Sequence, residues 1–202
     1  MKFKKLLVVL GMMLAISVPS VKAGNNVGIK TNLLYDGFLL PDLGIEIGLA
    51  PKWSLDISGA LNAWTINPNT DHWKKWKLWM VQPEARYWFC QRFAGHFVGV
   101  HAHGGQYNMG HLDFGGYNFL GSNFKWFEDH RAQGWFVGAG VGYGYSWILD
   151  KHWNFEAEIG VGWVYTIYDG FNCEGCGKKI LENKHHNYVG PTKAALNIIY
   201  IF

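Results

Sequence analysis

The chain has 202 residues, of which 17% are aromatic, with 26 glycines and only six prolines, a composition typical of neither disordered nor helical proteins. Its 18 lysines and arginines stand against 15 acidic residues, but four of the lysines fall in the first 23 residues, which leaves 14 against 15. Because the remainder has no clustered basic run, we exclude nucleic acid as a partner.

The first 23 residues have the layout of a secretory signal peptide. Three lysines precede an apolar run over 6–16, and the sequence VKA at 21–23 has the small-residue pattern of a cleavage site. We therefore expect residues 1–23 to be removed on export and residues 24–202 to form one domain, with a retained helical anchor as the alternative. No later stretch approaches the roughly 18 consecutive apolar residues of a transmembrane helix, so a membrane-spanning form would have to use strands.

Alternation of apolar and polar residues at period two predicts eight β-strands. In chain order these are 27–35, 43–49, 53–64, 78–90, 96–107, 135–147, 153–165 and 193–202. The sixth is the clearest, because large apolar residues from Trp135 to Trp147 alternate there with glycines. Pro83 lacks an amide donor, which predicts a bulge or local irregularity in the fourth strand.

The predicted connections alternate in length. Those at Pro51, Gln91 and Asp150 are tight, whereas the links over 67–77, 110–134 and 169–190 are long, and only "FLLPD" breaks the pattern. Short turns at one end and long loops at the other are typical of outer-membrane barrels. The sequence therefore predicts an all-β fold, an eight-stranded antiparallel up-and-down transmembrane β-barrel.

The alternation leaves open which face of each strand points into the barrel, and a soluble calycin-like barrel is the rival interpretation. Size decides between them, because an eight-stranded barrel is only just wide enough for side chains to fill, and rows of Trp and Tyr would overfill it. We therefore expect the aromatic face to meet lipid and the glycine-rich face to line the interior. The charged residues predicted to interdigitate and neutralise one another there are Lys30, Glu46, Asp56, Glu84, Arg86, Glu156 and Glu158.

Aromatic residues cluster at both ends of the predicted strands, where they would form two interfacial girdles. Beside the short turns these are Trp53, Phe89, Phe97, Trp147, Trp153 and Tyr200. Toward the long loops they are Tyr35, Trp64, Trp79, Trp135 and Tyr165.

The last predicted strand has Ala194, Leu196, Ile198, Tyr200 and Phe202 on one lipid-facing side. We expect it to close the barrel by pairing with the strand that begins near residue 27. Its final aromatic residues, Tyr200 and Phe202, are similar to the signal that the barrel assembly machinery reads in outer-membrane barrels.

The phrases "KTNLLYD", "QPEARYWF" and "GWFVGAGVGYGYSW" lie in the first, fourth and sixth predicted strands. Together with the signal and the final phenylalanine, they make the chain resemble small outer-membrane barrels of the Bacteroidetes, most closely the uncharacterised family described as domain of unknown function 3575. The resemblance implies an eight-stranded barrel in the cell outer membrane, and some relatives accompany fimbrial gene clusters. It supplies no catalytic residues.

The two cysteines in the last long link have three possible states, one of which involves nearby histidines. Cys173 and Cys176, in C-x-x-C spacing, could form a disulfide, remain free thiols, or join His185 and His186 as zinc ligands. In an exported loop the disulfide is the ordinary expectation, so we predict no metal site and no cofactor. Cys90 is predicted to be a lone thiol at the membrane interface.

Three patterns that suggest catalysis or transport have simpler explanations. The interior carboxylates could form an acid–base pair or an ion path, but buried charges more often neutralise one another. His101 and His103 are predicted to belong to the polar face or rim of their strand. The glycines of "GAGVGYGYS" fail the G-x-G-x-x-G pattern of nucleotide-binding loops.

We therefore expect a non-enzymatic barrel whose partners are outer-membrane lipid, the barrel assembly machinery and an extracellular or fimbrial protein. The alternatives are a lipid A acyl-modifying enzyme and a small-solute channel; no serine follows any histidine by two residues, as the deacylase type requires. The loop over 111–134 is rich in aromatic residues, which favours a binding surface and, equally, a lid over the barrel mouth. These are Phe114, Tyr117, Phe119, Phe124, Trp126 and Phe127.

Overall fold

A computed structural model of the chain describes residues 27–66, 74–110, 118–119, 122–123, 130–172 and 178–202. The strands are β1 Val27–Asn32, β2 Asp42–Ala50, β3 Trp53–Ile66, β4 Lys74–Trp88, β5 Gly95–Gly110, β6 Asn118–Phe119, β7 Ser122–Asn123, β8 Arg131–Ile148, β9 Trp153–Phe171 and β10 Lys179–Ile201. A single short helix in this part of the chain, α1, covers Leu33–Gly37. Within the described ranges, no helix has the length and apolar character needed to cross a membrane.

The eight long strands close into a barrel in the order β1-β10-β9-β8-β5-β4-β3-β2, and every neighbouring pair is antiparallel. β6 and β7 form a separate two-stranded hairpin. The predicted all-β fold with eight antiparallel up-and-down strands is confirmed. Closure gives each long strand a neighbour on both sides, so the sheet has no continuous free edge.

The two faces of the barrel wall differ sharply in polarity. Aliphatic side chains cover the middle of the outer face, where Val100 and Ile159 are each 63% exposed. Charged and amide side chains are buried on the inner face. The interior is therefore not the apolar core expected of a water-soluble barrel of this size.

β1 is shorter than predicted, because the chain leaves the wall after Asn32 and forms α1. The Asn32 side chain caps this helix, since its Oδ1 accepts a hydrogen bond from the Leu34 amide at 3.1 Å. The prediction of a strand over 27–35 was wrong in its last three residues. Tyr35 consequently lies on the helix rather than in the barrel wall.

The predicted long link over 169–190 is also wrong, because most of it is strand. β9 runs to Phe171, and β10 begins at Lys179 and pairs with β9 along its length. Polar contacts between the strands support this extension: Trp163 donates to Asn187 at 3.0 Å, and the Tyr165 hydroxyl lies 2.5 Å from His185 Nδ1.

Pro83 interrupts the ladder between β4 and β5 without shifting it. Pairing passes from Val81↔Gly104 to Glu84↔His101 in the same register and omits the two positions between. The predicted local irregularity is present, but it is not a bulge. A register shift occurs instead in β10, between Pro191 and Lys193.

Asn32 also holds the seam at which the barrel closes. Its Nδ2 donates to the Ala194 carbonyl at 3.1 Å, and its Oδ1 accepts from the Leu196 amide at 3.1 Å, so the side chain extends the pairing of β1 with β10. That pairing itself spans only Gly28↔Ile201 to Asn32↔Asn197. A single buried amide therefore joins β1, α1 and β10.

We expect Asn32→Ala to destabilise the barrel by about 2 kcal/mol, because it leaves the partly buried Ala194 carbonyl and Leu196 amide of β10 without partners. The measurement is the urea midpoint of the purified protein, followed by heat-modifiable gel migration. Asn187→Ala, which removes an exposed amide bonded to Trp163, is the matched control and should shift the midpoint much less. Equal shifts would contradict the role assigned to Asn32.

Candidate functional site: the charged interior

The structure brings all seven predicted interior residues together inside the barrel. They come from β1, β2, β3, β4 and β9, and the alternation of each strand turns them inward. None is more than 6% exposed: Lys30, Glu46, Asp56, Glu84, Arg86, Glu156 and Glu158.

Arg86 lies at the centre of the network. Its Nη1 contacts Glu46 at 2.8 Å and Glu156 at 3.0 Å. Its Nη2 contacts Glu158 at 2.6 Å and lies 3.3 Å from Asp56. The planar guanidinium fork suits this arrangement, because it donates in several fixed directions and remains charged when buried.

Lys30 neutralises the side of the network that faces β2 and β3. Its Nζ lies 2.7 Å from Asp56 and 3.0 Å from Glu46. The Ser54 hydroxyl donates to Glu46 at 2.5 Å, and the Asn197 amide donates to Glu156 at 2.7 Å. These neutral donors add hydrogen bonds to carboxylate oxygens of the network, which lowers the cost of burying the charges.

Lys193 is a third interior cation that was not predicted. Its Nζ contacts Glu84 and lies 3.1 Å from Glu158. The register shift before Lys193 turns Thr192 inward as well, where its hydroxyl lies 2.9 Å from His101 Nε2. Period-two alternation could have predicted this position: because Ala194 was expected to face outward, its neighbour Lys193 should face inward.

Glycines make the space that these side chains occupy. A Cβ atom on Gly99 would overlap the carboxyl group of Glu84, and one on Gly142 would lie 2.7 Å from Glu158 Oε1. A Cβ on Gly140 would lie 2.6 Å from His101 Nε2. The inward glycines of β5 and β8 thus leave the room that the polar side chains of the interior occupy.

Below the network, toward the short turns, an apolar plug closes the barrel. Phe97 belongs to it: the ring is fully buried, so its predicted place in an outer girdle was wrong. The Phe97 ring lies 4.6 Å from that of Trp88, and the Arg86 guanidinium stacks 4.5 Å from its centre. The plug consists of Trp88, Phe93, Phe97, Ile199 and Ile201.

His101 and His103 face the interior above the network and are buried, as their place on the polar face predicts. Cys90 is exposed and carries a free thiol. Cys173 and Cys176 lie outside the described residues, so their state stays a prediction. Over the ranges that the structure describes, no group of three or more His, Cys, Asp or Glu side chains is arranged to hold a metal ion.

Tyr200 and Phe202 lie together on the outer face at the closing seam. Their rings meet edge to face at 5.1 Å, and the Phe202 amide donates to the Val27 carbonyl at 3.0 Å. The predicted pairing of the last strand with the first is confirmed.

These features define a class of protein: a closed eight-stranded antiparallel barrel with an apolar outer wall and a charged, plugged interior. The chain belongs to the family described as "Protein of unknown function (DUF3575)", whose model matches residues 8–202. The family indicated by the strand phrases is thereby confirmed. No curated protein and no solved structure matches the chain.

Proposed function

We propose that the chain is a non-enzymatic outer-membrane barrel with a filled polar interior that is closed toward the short turns, and that it contacts other molecules at the cell surface through its long loops. The observation that supports this proposal is the polarity of the wall, which is apolar outside and charged inside, the reverse of a water-soluble barrel. In water, a belt of exposed Val, Ile, Leu and aromatic side chains would be a large aggregation-prone patch. In a bilayer the same belt is stable, and a closed barrel has no free sheet edge to expose unpaired backbone groups to lipid.

Aromatic side chains at two levels of the outer wall support a membrane position. Trp53, Phe89, Trp147, Trp153 and Tyr200 lie toward the short turns, and Trp64, Trp79, Trp135 and Tyr165 lie toward the long loops. Such belts are typical of the two lipid–water interfaces of a barrel. Fractionation tests this: the protein should be recovered with outer membranes and migrate faster on gels when unheated, and a soluble periplasmic product would contradict the proposal.

The plug and the ion network argue against a solute channel. Arg86 and the plug residues fill the cross-section of the lower barrel, where an eight-stranded wall leaves little room. Planar-bilayer recordings should therefore lack a large, steady conductance. A stable open level would favour the channel alternative instead.

Surface contact is proposed for the loops, of which 67–73, 173–177 and most of 111–129 lie outside the described residues. The aromatic content of the 111–134 loop supports a partner such as an extracellular or fimbrial protein. A photo-crosslinker at Trp126 in intact cells should capture a partner, whereas one at Leu149, in a short turn at the opposite end, should not. Release of fatty acid from lipid A by the purified barrel would overturn the non-enzymatic assignment.

Phe202→Ala should impair insertion by the assembly machinery without lowering the stability of the barrel that does fold. The substitution keeps the backbone bond to Val27 and removes only a ring that is 48% exposed. Phe89→Ala, which removes an equally exposed ring at the same end, is the matched control. The measurement is the amount of heat-modifiable protein in outer membranes, and equal amounts for both variants would contradict an assembly signal at Phe202.

A further inference from the structure

Four side chains in the upper half of the barrel are buried and incompletely paired. Asn62 Nδ2, Gln82 Nε2, His101 Nδ1 and His103 Nδ1 have no hydrogen-bond partner within the described part of the chain. None of the four residues is more than 6% exposed. A buried polar atom without a partner costs about 1–3 kcal/mol, and native proteins pair such atoms with protein groups or ordered water.

Three of these residues are neighbours just above the charge network. The rings of His101 and His103 lie 5.7 Å apart on β5. Gln82 occupies the β4 position that faces His103 in the register set by Val81↔Gly104. An amide nitrogen only donates, so Gln82 and Asn62 both require an oxygen acceptor that can enter the barrel.

The upper end of the barrel has a way in. A cavity of about 420 Å³ opens at the long-loop end of the described residues. Asn62, Leu78 and Tyr107 belong to its lining, whereas Gln82, His101 and His103 lie deeper in the barrel and do not. Asn62 therefore belongs both to the mouth and to the set of incompletely paired side chains. At the lower end the route stops, because Arg86 stacks on Phe97 and the plug lies beneath it.

Lys77 and Asp169, which line the cavity at its mouth, cancel formally, whereas the charges at the bottom of this route are unbalanced. Five carboxyl groups face three cationic side chains there, a formal charge of −2 with every group ionised. They are Glu46, Asp56, Glu84, Glu156 and Glu158 against Lys30, Arg86 and Lys193. Small anions are repelled by this excess, whereas water and small cations are not.

We propose that the upper barrel is a blind, water-filled shaft, open at the long-loop end, that leads past Asn62, His103 and Gln82 to the charge network. Water is its ligand, since a water oxygen can accept from the Asn62 and Gln82 amides, and a water molecule can donate to or accept from a histidine Nδ1 atom. The shaft admits small cations and rejects anions. The interior is thus sealed in its lower half only, which goes beyond the proposed surface role and does not depend on it.

Cysteine accessibility in the purified, detergent-folded barrel tests the shaft. Gln82→Cys and Asn62→Cys are made with the native cysteines Cys90, Cys173 and Cys176 changed to serine, and each is treated with ethylammonium or ethylsulfonate methanethiosulfonate. Ser146→Cys is the matched control, because Ser146 is as buried as Gln82, at 2%, but lies near Phe93 of the plug. Rates are normalised to those at exposed Cys90 in a protein in which only Cys173 and Cys176 are changed to serine.

The shaft predicts that both upper cysteines react at least tenfold faster than Ser146→Cys, and faster with the cationic reagent than with the anionic one. Equal rates at Gln82→Cys and Ser146→Cys would overturn the shaft, as would a preference for the anionic reagent. Heat-modifiable migration identifies variants that fold. In the unaltered protein, ¹⁵N-histidine NMR should show water cross-peaks to His101 and His103, and their absence would also overturn the proposal.

Discussion

Replacing Arg86 with methionine is expected to prevent the barrel from folding stably. Arg86 contacts carboxylates from β2, β3, β4 and β9, and it is fully buried. Removing one partner of a buried ion pair costs about 3–5 kcal/mol, because the other charge is left uncompensated. That cost is a large part of the 5–15 kcal/mol by which native proteins are typically stable.

The heat-modifiable form of Arg86→Met should therefore be scarce after refolding in detergent and should unfold at much lower urea. Arg92→Met is the matched control, because Arg92 lies outside the network near a short turn, where its Nη1 donates to Ala50. Adding Glu46→Gln and Glu158→Gln to Arg86→Met should restore part of the stability by removing two of the uncompensated charges. A barrel of normal stability with methionine alone would contradict the central role of Arg86.

Gly99→Ala is expected to destabilise the barrel by about 3 kcal/mol through overpacking, although alanine is ordinarily harmless in a strand. The added methyl group would overlap the side chain of Glu84, which supplies all three of its nearest atoms. Glu84 cannot swing aside cheaply, because it contacts Lys193 and Arg86 in the buried network. The measurement is again the urea midpoint of the folded barrel.

Gly59→Ala is the control for Gly99→Ala, because a Cβ there meets nothing closer than 3.7 Å. A second comparison isolates the cause. If steric displacement of Glu84 is responsible, Gly99→Ala should cost little in a Glu84→Ala background, and the double-mutant cycle should show a coupling above about 1 kcal/mol. Additive effects would mean that Gly99 matters for another reason.

The strands of the barrel wall were predictable because the two faces of the wall differ in polarity. Wherever one face meets an apolar medium and the other meets charged side chains, polarity must alternate at period two, as it does along β8. In the extension of the β9–β10 hairpin this contrast is lost, since residues such as Lys184, His185 and Asn187 are exposed and polar. The alternation is therefore weak in this segment, and the sequence predicts a long link where the structure has strands.

The end of β1 at Asn32 was not predictable from the sequence for a different reason. Leu33 and Tyr35 continue the alternation of the strand, but Asn32 uses its side chain to cap a helix and to bond to β10. Those bonds depend on Ala194 and Leu196, which lie more than 160 positions along the chain. Local pattern cannot show which of two acceptable structures a distant strand will support.

By itself, the sequence determined the all-β class, the eight strands of the barrel, the polar character of the inner face and the seven charged residues that share the interior, because each follows from periodicity and residue size. Only the tertiary structure decided how those charges pair, since ion pairs depend on register between strands. It also placed Lys193 in the interior, next to the register shift of β10, and it placed Phe97 in the plug rather than on the outer wall. An aromatic side chain is stable both in an apolar layer inside the barrel and on its outer wall, so composition does not distinguish the two positions, whereas packing against Trp88 does.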